Sequence, residues 1–166
     1  MAEVPLEAQV GHLLREQKLS LAVAESCTGG LVCHRLTNVP GASDYLMGGV
    51  VAYSNRAKME LLQVPADTLT VWGAVSEETA RAMATGVREA FHTDIGLAVT
   101  GIAGPTGGTP EKPVGTVFIG LATPQKVEAC RHLFHGEREE IKALSAQAAL
   151  EWLRRELQHA QSLSCH

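Results

Sequence analysis

The sequence predicts one α/β domain with helices on both faces of a mixed sheet. Three observations carry that prediction. Apolar strand-like runs alternate with helix-like segments, the pattern of strands covered on both sides. The last two strand-like runs are joined by a four-residue turn, so they pair antiparallel and make the sheet mixed. No linker, charge block or internal repeat divides the 166 residues, an ordinary length for one domain.

Each element follows from local spacing. Residues 5–18 set Leu6, Val10, Leu13 and Leu14 at helical intervals, with Pro5 near the start. Residues 19–24 (LSLAVA) read as a buried strand, which residues 25–30 (ESCTGG) interrupt. Residues 31–38 read as a helix ending before Pro40 and Gly41. Residues 46–53 (LMGGVVAY) form the second strand. Ser54 or Asn55 then caps a helix running to about Gln63, before Val64 and Pro65. A longer helix spans about 76–91, with Ser76 as its cap and Glu77 and Glu78 at its positive end. Residues 94–100 (DIGLAVT) are the third strand, followed by a Gly/Pro-rich loop over 101–113. Residues 114–121 and 127–134 are the antiparallel pair, turning at Thr123, Pro124, Gln125 and Lys126. Residues 137–158 form the last helix, with Ile141, Leu144, Ala148, Trp152 and Leu153 inward. The core thus runs over about 6–158, with 159–166 as a frayed tail.

Composition removes several classes of function. A chain of this size buries roughly 70% of its unfolded surface and needs no staples. Its net charge is −4, without a run of Lys or Arg, so direct nucleic-acid binding is not expected. Aromatics make up 4%, too few for a base-stacking platform. Apolar runs stop well short of the ~20 residues that cross a bilayer, and the first residues lack the basic start and apolar stretch of a signal peptide. Cys27, Cys33, Cys130 and Cys165 form no CxxC pair and read as free thiols of a cytoplasmic protein.

In an open α/β sheet, ligands bind beyond the carboxyl ends of the strands. Three strands here end in unusual residues that converge on one edge if the strands are parallel neighbours. The first continues into Glu25, Ser26, Cys27, Thr28, Gly29 and Gly30. A serine at a strand-to-helix turn, with free backbone N–H groups after it, can receive an anion or a developing oxyanion. It can equally serve only as a helix cap. The second strand continues into residues 53–58 (YSNRAK). Lys58 lies one turn into a helix, so its side chain leans back over the strand end. A desolvated lysine is neutral at a lower pH and can activate a serine hydroxyl; a solvated lysine is the plain alternative. The third strand opens into residues 100–108 (TGIAGPTGG). This is neither a phosphate-binding Walker loop nor a dinucleotide fingerprint, but it suits a loop that wraps a phosphorylated ligand. Arg138, at the start of the last helix, offers a planar fork for phosphate or an ordinary surface ion pair. No metal set is expected: His132 and His135 do not share a strand face, and Cys27 and Cys33 are too far apart for a metal knuckle. Cys27 is a rival nucleophile, although such a cysteine is more often buried and inert.

Six segments in order, 24–30 (AESCTGG), 39–43 (VPGAS), 53–58 (YSNRAK), 73–76 (GAVS), 100–108 (TGIAGPTGG) and 112–116 (KPVGT), resemble the CinA C-terminal domain family. The resemblance spans about residues 6–155. It implies a three-layer α/β/α fold on a five-stranded mixed sheet. It also implies hydrolysis of nicotinamide mononucleotide to nicotinic acid mononucleotide and ammonia, in pyridine nucleotide recycling, without metal or organic cofactor. Carried over position by position, Ser26 matches the nucleophile and Lys58 its activating base. Tyr53 and Thr100 match polar residues of the pocket. The implied substrate contacts are Cys27, Thr28, Gly29, Gly30, Asn55, Gly101, Gly104, Thr106, Gly107, Gly108 and Arg138. The larger proteins of the family carry a further N-terminal domain absent from this sequence, so that domain's activities do not transfer. The resemblance further implies a homodimer or higher homo-oligomer. The competing reading is a non-catalytic nucleotide-binding module linked to competence or the DNA damage response.

Overall fold

The computed structural model describes residues 2–164. The elements run α1 (Leu6–Gln17), β1 (Leu21–Glu25), α2 (Leu31–Thr37), a short 3-10 turn (Ala42–Asp44), β2 (Leu46–Val51), α3 (Asn55–Leu62), α4 (Ala66–Trp72), α5 (Glu77–Phe91), β3 (Ile95–Gly101), β4 (Thr116–Ala122), β5 (Val127–Leu133) and α6 (Arg138–Ser164). The sheet order is β2-β1-β3-β4-β5. β1 is parallel to both β2 and β3, whereas β4 and β5 are antiparallel to their neighbours. This is the expected α/β/α architecture on a mixed five-stranded sheet.

Side-chain size sorts the two faces. On one face of the central strands, Leu21, Val23, Leu97, Val99, Ile119 and Leu121 meet the apolar stripes of α1, α2 and α6. On the other face, Ala22, Ala24, Ala98 and Ala122 meet α3, α4 and α5. α5 sits especially close. A Cβ built at Gly96 would lie 2.1 Å from the Ala84 carbonyl oxygen, and one at Gly120 would lie 2.2 Å from that of Ala80. The alternation of large and small residues (period two,) therefore sets two different helix-to-sheet distances.

Two helices carry the serine caps expected of them. Ser54 Oγ accepts from the Ala57 N–H at 3.0 Å, and Ser76 Oγ accepts from Thr79 at 3.1 Å. Each such cap stabilises its helix by about 1 kcal/mol.

Several expectations are corrected. The stretch around Pro65 is not a plain break: it starts α4, because proline suits the first turn of a helix. α6 does not end near Gln158 but continues through Ser164, so the described part of the supposed frayed tail is helical. Leu144 does not face inward; it is 40% exposed, while Ile141 and Leu153 are buried. β2 is an edge strand, and its Met47 and Val51 are about half exposed. Cys27, Cys33 and Cys130 are free thiols, and Cys165 lies outside the described residues. Among the described residues no helix is long and apolar enough to cross a membrane, and no group of three or more His, Cys, Asp or Glu could hold a metal.

Candidate active site

The carboxyl ends of β1, β2 and β3 lie side by side, as parallel pairing requires. The Ser26 N–H donates to the Val99 carbonyl at 2.9 Å and the Ala52 N–H to that of Glu25 at 2.8 Å, extending both ladders by one step. Ser26 is thus held on β3's side and the Tyr53 segment on β2's side. The chain then turns through Gly29 and Gly30 in left-handed conformations and enters α2.

Lys58 comes from the first turn of α3 and leans back toward the strand ends. Its Nζ lies 3.1 Å from Ser26 Oγ and donates to the Tyr53 carbonyl at 3.2 Å. Lys58 is only 1% exposed. Burial lowers its pKa from the ordinary lysine value, opposed more weakly by the nearby Cys27. A neutral amine has two N–H donors and one lone pair. With one N–H on the Tyr53 carbonyl, the lone pair remains for the Ser26 hydroxyl proton.

Ser26, Cys27, Tyr53, Gly104, Gly107 and Arg138 line a cavity of about 300 Å³. Larger clefts of about 570 and 690 Å³ lie elsewhere on the molecule, and Ser26 lines neither. Gly104 needs to be glycine: its φ is +79°, and an added Cβ would lie 2.4 Å from Val114 Cγ1. The Gly104-Pro105 peptide is cis. Gly101 and Thr106 also line the cavity. Gly108 does a different job, because its bare Cα lets the Val114 backbone N approach. Asn55 is exposed at the first position of α3.

The other expected site residues are placed as follows. Arg138 does not pair with Glu137 or Glu139. Its guanidinium donates to the Gly104 carbonyl and to Tyr53 Oη, the latter at 3.0 Å. It thus ties together the two lips of the cavity, and Tyr53, 61% exposed, stands on the rim. Thr100 is buried and its hydroxyl donates to the Ala74 carbonyl at 2.8 Å. That proton holds the 73–76 segment against β3 and is not open to an oxyanion. The N–H groups of Thr28 and Gly30 bond to no acceptor among the described residues. Thr28 is buried with its hydroxyl likewise unpartnered. Burial pushes the Cys27 thiol up to about 12, which leaves little thiolate near neutral pH.

Two charged residues next to this site had no role in the sequence reading. Lys142, one turn beyond Arg138 on α6, brings its ammonium within 3.7 Å of where a Gly29 Cβ would stand. Glu25, the last residue of β1, is completely buried and accepts from the N–H groups of Val32 and Cys33. A lone acid ending an otherwise apolar strand was the available signal for it.

Known proteins of one family are similar to this chain. A family model described as the CinA C-terminal domain matches residues 3–157. A CinA-like protein of Syntrophus aciditrophicus is 58% identical over 155 residues, covering 92% of this chain and 36% of that protein. A CinA-like protein of Syntrophotalea carbinolica is 54% identical over 152 residues, covering 92% and 37%. The chain thus spans little more than a third of the length of these curated relatives. Among solved structures, the competence damage-inducible protein A of Klebsiella pneumoniae aligns with a TM-score of 0.90 at 37% identity, covering 93% of this chain and 96% of that one. A competence/damage inducible protein of Agrobacterium tumefaciens aligns with a TM-score of 0.86 at 37% identity, covering 95% and 99%.

Proposed function

The chain belongs to the CinA C-terminal domain family, and from that premise we propose that it is an amidohydrolase. On this reading it converts nicotinamide mononucleotide and water to nicotinic acid mononucleotide and ammonia. The observation that carries the reading is the 3.1 Å approach of the buried Lys58 amine to Ser26 Oγ at the cavity wall. A binding module has no use for a desolvated amine held against a hydroxyl.

Lys58, uncharged, takes the Ser26 Oγ proton as that oxygen attacks the carboxamide carbon. The new C–O bond pushes the carbonyl electron pair onto oxygen, and the free backbone N–H groups of Thr28 and Gly30 stabilise that oxyanion. One well-placed donor of this kind is worth about 3 kcal/mol. The Lys58 ammonium returns the proton to the amide nitrogen, the C–N bond breaks, and ammonia leaves an ester on Ser26. Water then attacks the ester carbon, Lys58 takes its proton and passes it to the Ser26 oxygen, and the acid product departs. The ribose phosphate lies over the 101–108 loop and Arg138. That remote binding orients the amide, so free nicotinamide is a much poorer substrate.

Incubating the protein with nicotinamide mononucleotide should release ammonia and the acid product in equal amounts. The second reading is a non-catalytic nucleotide-binding module linked to competence or the DNA damage response, of which the relatives' names speak, and for it the same incubation gives binding without ammonia. Arg138→Ala should raise KM for the nucleotide roughly tenfold, the effect of losing about 1.4 kcal/mol of uniform binding, while kcat changes less. Steady-state kinetics check this, and an unchanged KM removes Arg138 from the phosphate role.

A further inference from the structure

The Glu25 carboxylate is buried completely, and no ion pair among the described residues involves it. Such a group is costly unless its oxygens are hydrogen-bonded. Both are: Oε1 accepts from the Val32 N–H at 2.8 Å and Oε2 from the Cys33 N–H at 3.0 Å. These are first-turn donors of α2, whose own cap residue, Gly30, brings no side chain. The positive end of the helix adds a favourable field. A neutral Ser or Asn cap accepts through one atom; a carboxylate holds two N–H groups at once.

The backbone of Glu25 is fixed equally well. It lies in β1, opposite Val51 on one side and Val99 on the other. The chain therefore leaves the sheet at Glu25 and, seven residues later, is fastened to the side chain of that same residue. The closed stretch between is 26–31, which holds Ser26 and the unpaired N–H groups of Thr28 and Gly30.

We propose that Glu25 is a positioning residue that clamps both ends of the nucleophile loop and so holds Ser26 and the oxyanion donors in register with Lys58. The inference rests on the reading of Ser26 as the nucleophile. The same carboxylate favours serine over its neighbours: beside the larger effect of burial, its charge helps push the Cys27 and Cys33 thiols up to about 12.

Glu25→Gln keeps the size and one acceptor but turns an NH2 toward the second backbone N–H. Glu25→Asp keeps the charge and withdraws it by one methylene. Both should lower kcat for ammonia release about 10–100-fold, the usual effect of a small misplacement. KM should stay within about threefold, and the pH midpoint of kcat should not move. A lower melting temperature with unchanged kcat of the folded enzyme would show a merely structural role and overturn the proposal. If the wild type releases no ammonia from the mononucleotide, the substrate reading fails and this one is judged by another probe. A fluorophosphonate should then modify Ser26 at least about tenfold more slowly in the variants, and equal rates overturn the clamp. If neither variant folds, amide exchange in the wild type decides. Val32 and Cys33 should be protected like β1, and rapid exchange at both overturns it.

Discussion

Ser26→Ala should abolish ammonia release, by at least about 10⁴-fold in kcat, while nicotinamide mononucleotide binds with a dissociation constant within about threefold of the wild type. The split follows from where the hydroxyl acts. Its oxygen forms a bond only as the reaction proceeds, so ground-state binding by the 101–108 loop and Arg138 does not depend on it. No neighbour can take over. Cys27, the adjacent side chain with a nucleophilic atom in the cavity, has its thiol held near 12 by burial and is protonated at working pH. Titration calorimetry beside an ammonia assay measures both halves. Full activity in the alanine variant would defeat the nucleophile assignment, and loss of binding together with activity would point to a collapsed pocket.

Lys58→Met should reduce kcat almost as far and also change the response to pH. In the wild type only the uncharged amine accepts the Ser26 proton, so kcat rises with pH through the lowered Lys58 pKa and levels off above it. The variant's residual rate should lack that limb. The substitution should move stability the opposite way from activity. Between the lowered native value and 10.5, the unfolded chain binds a proton that the native protein does not. Stability therefore rises with pH across that window and is lowest below it. A methionine side chain at this position would remove the penalty and fill the same space, so the melting temperature at neutral pH should increase by a few degrees, at roughly 2–4 °C per kcal/mol for a chain of this size. A wild-type profile flat from pH 5 to 9 would exclude lysine as the base, whatever the variant does.

The pairing of Ser26 with Lys58 was legible because it needs only two local facts. A serine sits just past a strand, and a lysine one turn into the helix after the neighbouring strand leans back toward its own strand end. Parallel pairing then supplies the rest. The strands were legible for the same reason, since their apolar runs report burial directly. What escaped the reading depends on partners distant in sequence. Nothing near Thr100 announces that its hydroxyl goes to Ala74, 26 residues away. Nothing near Arg138 announces Gly104 and Tyr53 as its acceptors, 34 and 85 positions distant. Glu25 is a subtler case: its partners are seven and eight residues on, but only the folded turn shows that a strand residue caps the next helix. α4 was missed for a local reason, because Pro65 signals both an ending and a beginning.

The unequal filling of the two sheet faces has a consequence for anyone wishing to toughen this molecule. Replacing glycine by alanine is a familiar route to heat resistance, because it narrows what the denatured chain can explore. At Gly96 and Gly120 that route is closed, since the incoming methyl would strike the carbonyls of Ala84 and Ala80. Prising α5 outward would disturb the 73–76 segment that leads into it, and through Ala74 the Thr100 anchor at the end of β3. Hardening would therefore have to begin at the periphery, at solvent-facing sites such as Leu144.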